Sequence, residues 1–239
     1  MIPGHLFVER GQSTHAPNIL LENNCPKVIN DQCRPAERDP MAETSDKLDL
    51  AGAILAGGRS CRMGQPKEGI LLRDGRPMIE HVAEALSPVC SEIIILGDCR
   101  GYHGELLADA SRLPDRVTCY GPLAGLDALL ASGIAKRYLV VSCDQPLLTP
   151  VLLGDLASSA GRSPAFFRST DGEEFDPFPG IYPESIQARL EFFMAMGERS
   201  VRRFLRKGPL QWITLADEDR PQLRTMNSAE DLRECELLG

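Results

Sequence analysis

Residues 50–72 read LAGAILAGGRSCRMGQPKEGILL: an apolar run that breaks at Gly57-Gly58, passes Arg59, Arg62 and Lys67, and turns apolar again at Ile70-Leu71-Leu72. A short apolar run closed by glycines is the pattern of a buried strand feeding a polar loop. Adjacent glycines let backbone N–H groups approach a ligand without interference from Cβ, and turned N–H groups form an anion-binding concavity. The cations that follow suit an anion carrying several charges. Neither familiar phosphate loop fits. A Walker A loop closes on Gly-Lys-Ser/Thr, whereas here Gln65 follows Gly64 and Glu68 follows Lys67; the G-x-G-x-x-G spacing is missed by glycines at 57, 58 and 64.

Downstream, Pro77 with Met78, Ile79, Val82, Ala85 and Leu86 predicts an amphipathic helix with proline in its first turn, ending before Pro88. Ile93-Ile94-Ile95-Leu96 is the continuous apolar run of a parallel strand covered on both faces. Gly121-Pro122-Leu123-Ala124-Gly125-Leu126 opens a second helix that Gly133 stops, and Tyr138–Ser142 forms a strand ending at Cys143-Asp144-Gln145-Pro146. Strand, loop, helix and strand alternate. The expected fold is therefore α/β: a single doubly wound, mostly parallel, Rossmann-like sheet with helices on both faces. Ligands in such folds lie outside the carboxyl ends of the strands, which gathers the loops after Ala56, Leu96 and Ser142 around one crevice.

Beyond Pro150 the spacing predicts a helix over about 151–159, a strand at 165–168, a helix over about 184–196, a short basic helix capped by Ser200, a strand at Trp212-Ile213-Thr214 and a last helix from about Ser228. Pro177 and Pro179 demote FDPFPGIYPES to an edge or a pocket-lining loop. Residues 1–48, rich in asparagine, proline and charge, lack a sustained period of 2 or 3.6. They read as a poorly ordered N-terminal extension to a domain over 49–239.

With 239 residues, 43% of them hydrophobic, the chain has material for one substantial core. A net charge of -8 argues against nucleic acid or an anionic membrane as the main partner, so a polyanion must be held in a local pocket. No apolar run nears the roughly 18 residues of a membrane span. Leu6-Phe7-Val8 is far too short for a signal-peptide core. The 8 cysteines are scattered without a C-x-x-C pair and read as reduced thiols, Cys143 as one buried at a strand end, and a cytoplasmic location is expected.

Bringing one phosphate up to another is resisted by charge, so a nucleotidyl-transfer site needs cations, a divalent metal and positioning more than acid–base catalysis. The sequence holds those parts. Lys67 and Arg62 can neutralise triphosphate oxygens, the Gly57-Gly58 amides can cradle them, and Asp144 at a strand end can hold Mg²⁺ with phosphates and water. A turn-initiating aspartate before Pro146 is the plain structural alternative. The 4 histidines fall outside every motif, and a phosphate monoester acceptor is already an anionic nucleophile needing no general base. The basic helix with Arg202, Arg203, Arg206 and Lys207 reads either as an anion grip or as a solvated face.

Leu55-Ala56-Gly57-Gly58, Ser60, Arg62-Met63-Gly64 and Lys67 resemble the LAGG-x-S-x-RMG-x-x-K signature of nucleotidyltransferases, most closely the molybdenum cofactor guanylyltransferases. Cys143-Asp144-Gln145-Pro146, the block from Gly121 to Leu126, the segment from Phe175 to Tyr182 and Asn227 to Leu232 are similar to further blocks of that family. The resemblance implies a nucleotide-diphospho-sugar transferase-like fold and transfer of GMP from GTP to molybdopterin-bound molybdenum, with release of pyrophosphate. It implies catalytic roles for Arg62, Lys67 and Asp144, and nucleotide contacts from Leu55, Ala56, Gly57, Gly58, Lys67, Asp115 and Asp144. Asp144 would bind Mg²⁺, and Tyr182 and Asn227 would bind the acceptor. Molybdoenzymes or other cofactor-biosynthesis proteins are the implied partners. The chain also departs from the family. Gln65-Pro66-Lys67 and Asp144-Gln145-Pro146 look closer to molybdopterin cytidylyltransferases, Gly97-Asp98-Cys99-Arg100 lacks a usual Asn, and Thr225 stands where Asn or Asp is usual. Cytidylyl transfer, nucleotide transfer to a sugar or alditol phosphate, and a non-catalytic cofactor-delivery module remain the alternatives.

Overall fold

The computed structural model describes residues 49–57, 66–159, 161–168 and 175–238, with the backbone alone at 159 and 235–238. The extension at 1–48 and the loop residues Gly58 and Arg62 lie outside the described residues. Seven strands form one sheet: β1 (Leu50–Leu55), β2 (Ile93–Leu96), β3 (Ser111–Leu113), β4 (Arg137–Ser142), β5 (Ala165–Arg168), β6 (Gly180–Pro183) and β7 (Gln211–Thr214). Their order is β3-β2-β1-β4-β6-β5-β7. β3, β2, β1 and β4 are mutually parallel, β6 runs antiparallel to both β4 and β5, and β7 is parallel to β5. The sheet is thus mostly parallel, as the alternation of strands and helices predicts.

Among the described residues six α-helices accompany it: α1 (Met78–Leu86), α2 (Pro122–Ala131), α3 (Pro150–Ser159), α4 (Gln187–Ala195), α5 (Val201–Leu205) and α6 (Ala229–Leu238). The period-2 alternation of the strands divides the core into two layers. Leu50 and Ile54 of β1, with Leu139 and Val141 of β4, pack with Ile79, Val82 and Leu86 of α1 and Leu153 and Leu156 of α3. Ala51 and Ala53, with Tyr138 and Val140, pack on the other face with Leu123, Leu126 and Leu129 of α2 and Leu190 and Phe193 of α4. Both faces are covered, which is why the central strands read as unbroken apolar runs. The small Ala51, Gly52 and Ala53 let the helices approach β1 closely: a Cβ at Gly52 would lie 3.2 Å from the Cys90 sulfur.

The edge assignment for FDPFPGIYPES is corrected. Gly180–Pro183 is an interior strand between β4 and β5. Pro177 and Pro179 precede it and Pro183 ends it, so none of them interrupts the ladder from within. Ser111–Leu113, unrecognised in the sequence, adds a short mostly exposed edge strand beside β2. Among the described residues no helix is long and apolar enough to cross a membrane.

Candidate active site

From β1 the chain moves outward to β2 and β3, then returns to β4 on β1's other side, so the winding reverses between β1 and β4. At such a switch point the loops diverge and leave a crevice beyond the carboxyl ends. Here the crevice has a volume of about 460 Å³. Gly57 after β1, Gly97 and Asp98 after β2, Asp115 after β3 and Asp144 after β4 all line it, as do Gly121 and Pro122 at the start of α2. Gly57 has φ +150, and Gly97 has φ +91 with space for no side chain, since a Cβ there would lie 2.7 Å from the Ala56 carbonyl oxygen. Helix α2 starts without a side-chain cap and without an acidic residue in its first turn. Pro122 has no N–H and the Ala124 N–H donates to the Gly121 carbonyl at 2.9 Å, so the start of α2 favours an anion in the crevice through the positive end of its dipole.

Facing this wall, the Lys67 ammonium sits 2.8 Å from Asp144 Oδ2 and 2.5 Å from Asn227 Oδ1. Residues distant in sequence converge on one cation, in a half-buried position where charge is screened less than at the surface. Asn227 is itself oriented. Its amide nitrogen donates to Thr225 Oγ1 at 2.8 Å, turning its oxygen toward Lys67. Its backbone N–H donates to Asp231 Oδ2 at 2.9 Å. Thr225, a departure from the family pattern, thus supplies the acceptor that fixes the amide. Asp144 Oδ1 is buried and has no hydrogen-bond partner. An ionised oxygen left so is costly to bury, and it is the kind of atom that a cation satisfies. Among the described residues no group of three or more His, Cys, Asp or Glu is placed to hold a metal. A lone carboxylate with a nearby amide oxygen suits Mg²⁺, which keeps substrate phosphates and water as its other ligands.

Two carboxyls, Asp115 in the crevice lining and Asp176 outside it, lie above their ordinary range. Burial by the walls raises Asp115, and the charge of Asp98 adds to this. Burial also raises Asp176, against the Phe178 N–H and Arg202, with Asp144 pushing the same way as burial. Cys143 is a thiol pushed up by burial and then by Asp144, which fits its reading as a buried strand-end residue.

The crevice brings together Leu55, Ala56, Gly57, Lys67, Asp115 and Asp144, all expected at the nucleotide. Asn227, expected at the acceptor, meets Lys67. Tyr182 is a correction: it is fully buried, its hydroxyl donates to the Pro177 carbonyl at 2.7 Å, and its ring packs among Phe166 and Phe178, so it cannot touch an acceptor. On the basic helix α5, Arg203 is paired with Glu198 at 2.6 Å and Lys207 lies over the Phe193 ring, while the charge of Arg202 reaches Asp176. Phe178, in the segment read as an edge or a pocket-lining loop, does line the crevice, and sequence reasoning missed Glu68 there. Glu68 is buried and accepts from the Gly101 N–H at 3.1 Å, locking the Lys67 turn to the loop after β2. Its position next to the motif lysine was the available signal.

A glycine-walled crevice at a switch point, with a lysine and a strand-end aspartate meeting at its mouth, defines the protein as an α/β nucleotidyltransferase. Residues 52–213 match the family model described as MobA-like NTP transferase domain, and the chain belongs to that family. It is 34% identical over 180 residues to the molybdenum cofactor guanylyltransferase of Pseudomonas paraeruginosa, covering 74% of this chain and 89% of that one. Among solved structures, it is similar to the molybdopterin-guanine dinucleotide biosynthesis protein A of Archaeoglobus fulgidus, with TM-score 0.64, 22% identity and coverage of 79% and 97% of the two chains. It also superposes on the 2-C-methyl-D-erythritol 4-phosphate cytidylyltransferase of Thermus thermophilus, with TM-score 0.58, 13% identity and coverage of 78% and 97%. The last likeness is one of fold alone.

Proposed function

We propose that the protein transfers GMP from GTP to molybdopterin-bound molybdenum cofactor, forming the guanine dinucleotide cofactor and releasing pyrophosphate. The observation that carries the reaction class is the meeting of Lys67, Asp144 and Asn227 across from the glycine wall and the open N-terminus of α2. The guanylyl assignment rests on the relative that matches the chain through most of its length. Gly57 offers its N–H and α2 the positive end of its dipole to the triphosphate, and Lys67 neutralises charge where the phosphates meet. Asp144 and Asn227 are the residues that would hold Mg²⁺, which in such a site screens the phosphates and orients them. The acceptor phosphate is already an anion at neutral pH, so the site needs no base; its task is to hold two anions in line. A cytoplasmic location and delivery of the product to molybdoenzymes belong to the same reading.

Purified protein is incubated with Mg²⁺, molybdopterin cofactor and each of the four nucleoside triphosphates in turn, and pyrophosphate release is followed. Release with GTP is expected. Release only with CTP would overturn the guanine assignment, and nucleotide binding without release under any triphosphate would reduce the protein to a carrier.

A further inference from the structure

Gln145 does not itself line the crevice, yet it is fully buried and its side-chain amide joins three separate segments. Its oxygen accepts from the Ser142 N–H at 3.2 Å, at the end of β4. Its nitrogen donates to the Phe178 carbonyl at 2.9 Å and to the Leu223 carbonyl at 3.2 Å. One neighbouring backbone bond completes the arrangement: the Met226 N–H donates to the Asp144 carbonyl at 2.7 Å. The Asp144-Gln145 pair therefore pins the stretch 223–226 at two points, and Asn227 is the next residue along. Phe178, held by the same amide, lines the crevice.

We infer that Gln145 is a positioning residue for the transfer site, setting the separation of Asp144 and Asn227 through the segment that ends at Asn227. The inference rests on the proposed nucleotidyl transfer at that site. Only a planar group with two donors and one acceptor satisfies this place. Leucine would leave two carbonyls and an N–H unpaired, and an ionised glutamate would set an oxygen against both carbonyls. The nucleotide wall built on β1, β2 and β3 shares none of these bonds.

Gln145→Leu and, in case that variant fails to fold, the isosteric Gln145→Glu are compared with wild type by three measurements. The first is Mn²⁺ binding to the protein–GTP complex, followed by electron paramagnetic resonance; the second is metal-free GTP affinity; the third is kcat and the Mg²⁺ requirement. Groups that orient metal-binding residues typically change metal affinity or activity by about 10–100-fold when removed. The expected result is Mn²⁺ affinity weakened about tenfold and kcat lowered by a similar factor, with GTP affinity within about twofold of wild type. A folded variant with wild-type Mn²⁺ affinity overturns the inference, and so does an equal loss of GTP and metal binding, which would mark general loosening. Because Mn²⁺ binding is read without turnover, a wild type that releases no pyrophosphate with GTP counts against the proposed reaction and leaves this test intact.

Discussion

Along the β1, β2 and β3 side of the crevice the wall is held by main chain: Ala56 N–H to the Leu96 carbonyl at 2.9 Å, Gly97 N–H to Leu113 at 3.0 Å, Cys99 N–H to Ala56 at 3.4 Å. Across from it, the β4 side adds side chains to a few main-chain bonds, with Lys67, Asp144, Asn227, Thr225 and Gln145 bonded to one another or to distant carbonyls. A main-chain wall keeps its shape through most substitutions and presents the Gly57 turn and the positive end of α2 to any triphosphate. A side-chain wall carries the charge, and it fails when one member is lost. The two sides should therefore respond differently to mutation: the first in how well nucleotide binds, the second in how fast it reacts.

The strongest way to break that division is Asp144→Ala. It removes the buried oxygen that lacks a partner and one of the two acceptors of Lys67. Loss of a preorganised charged group at the reacting centre costs about two to three orders of magnitude in rate, so kcat should fall about a thousandfold. Metal-free GTP affinity should hardly change; stability should fall, because Lys67 loses its charged partner, and Asp144→Asn, which keeps an acceptor for Lys67, separates that loss from the loss of chemistry. An undiminished rate would remove Asp144 from the chemistry. Lys67→Met should lower kcat about a hundredfold and, unlike Asp144→Ala, raise KM for the triphosphate if, as proposed, the ammonium meets the nucleotide. Steady-state kinetics on both variants would separate the two roles.

Much of the main-chain side was legible in the sequence because its signals are local. Apolar runs closed by glycines mark β1 and β2, and the winding reversal gathers their loops without any knowledge of side-chain contacts. The meeting of Lys67 with Asp144 followed from the same rule, across 77 positions of sequence. The side-chain wall was harder to see. Asn227 lies 160 positions from Lys67, and nothing in the adjacent sequence points to that contact. Tyr182 misled for a related reason: its place in a resembling segment suggested an acceptor contact, whereas strand alternation turns it into the core, with the hydroxyl satisfied by Pro177. The prolines around β6 were judged by composition. Their positions before the strand and at its end, which leave the ladder intact, were visible only in the fold.

A smaller effect is expected on the main-chain side, from Asp115. Its carboxyl is raised by burial and by Asp98, so the free crevice holds two carboxylates that repel each other. A nucleobase offering N–H groups relieves that repulsion, and Asp115→Asn replaces an acceptor-only group with one that is half donor. KM for GTP should rise about tenfold, equivalent to about 1.4 kcal/mol, with kcat within about twofold. A fall in kcat at unchanged KM would place Asp115 with the transfer wall and erase the division between the two sides.

The finest test concerns the cap that orients Asn227. Ser228 and Asp231 form a reciprocal cap at the start of α6: the Asp231 N–H donates to Ser228 Oγ at 3.1 Å, while Asp231 Oδ2 accepts from the Ser228 hydroxyl and the Asn227 N–H, both at 2.9 Å. The Asn227 N–H, then the Ser228 hydroxyl, hold the Asp231 carboxyl below its ordinary value. A carboxyl depressed in the folded state stabilises fully above its unfolded pKa of about 3.9, and that contribution is lost as pH falls through the folded value. Asp231→Ala should therefore cost about 1 kcal/mol in urea melts near neutral pH, with the gap from wild type closing below about pH 4. If the cap also steadies the transfer wall, kcat should fall a few-fold at pH 7 while KM for GTP stays constant. A stability gap that persists unchanged into acid would show that the carboxylate is not what holds the Asn227 turn.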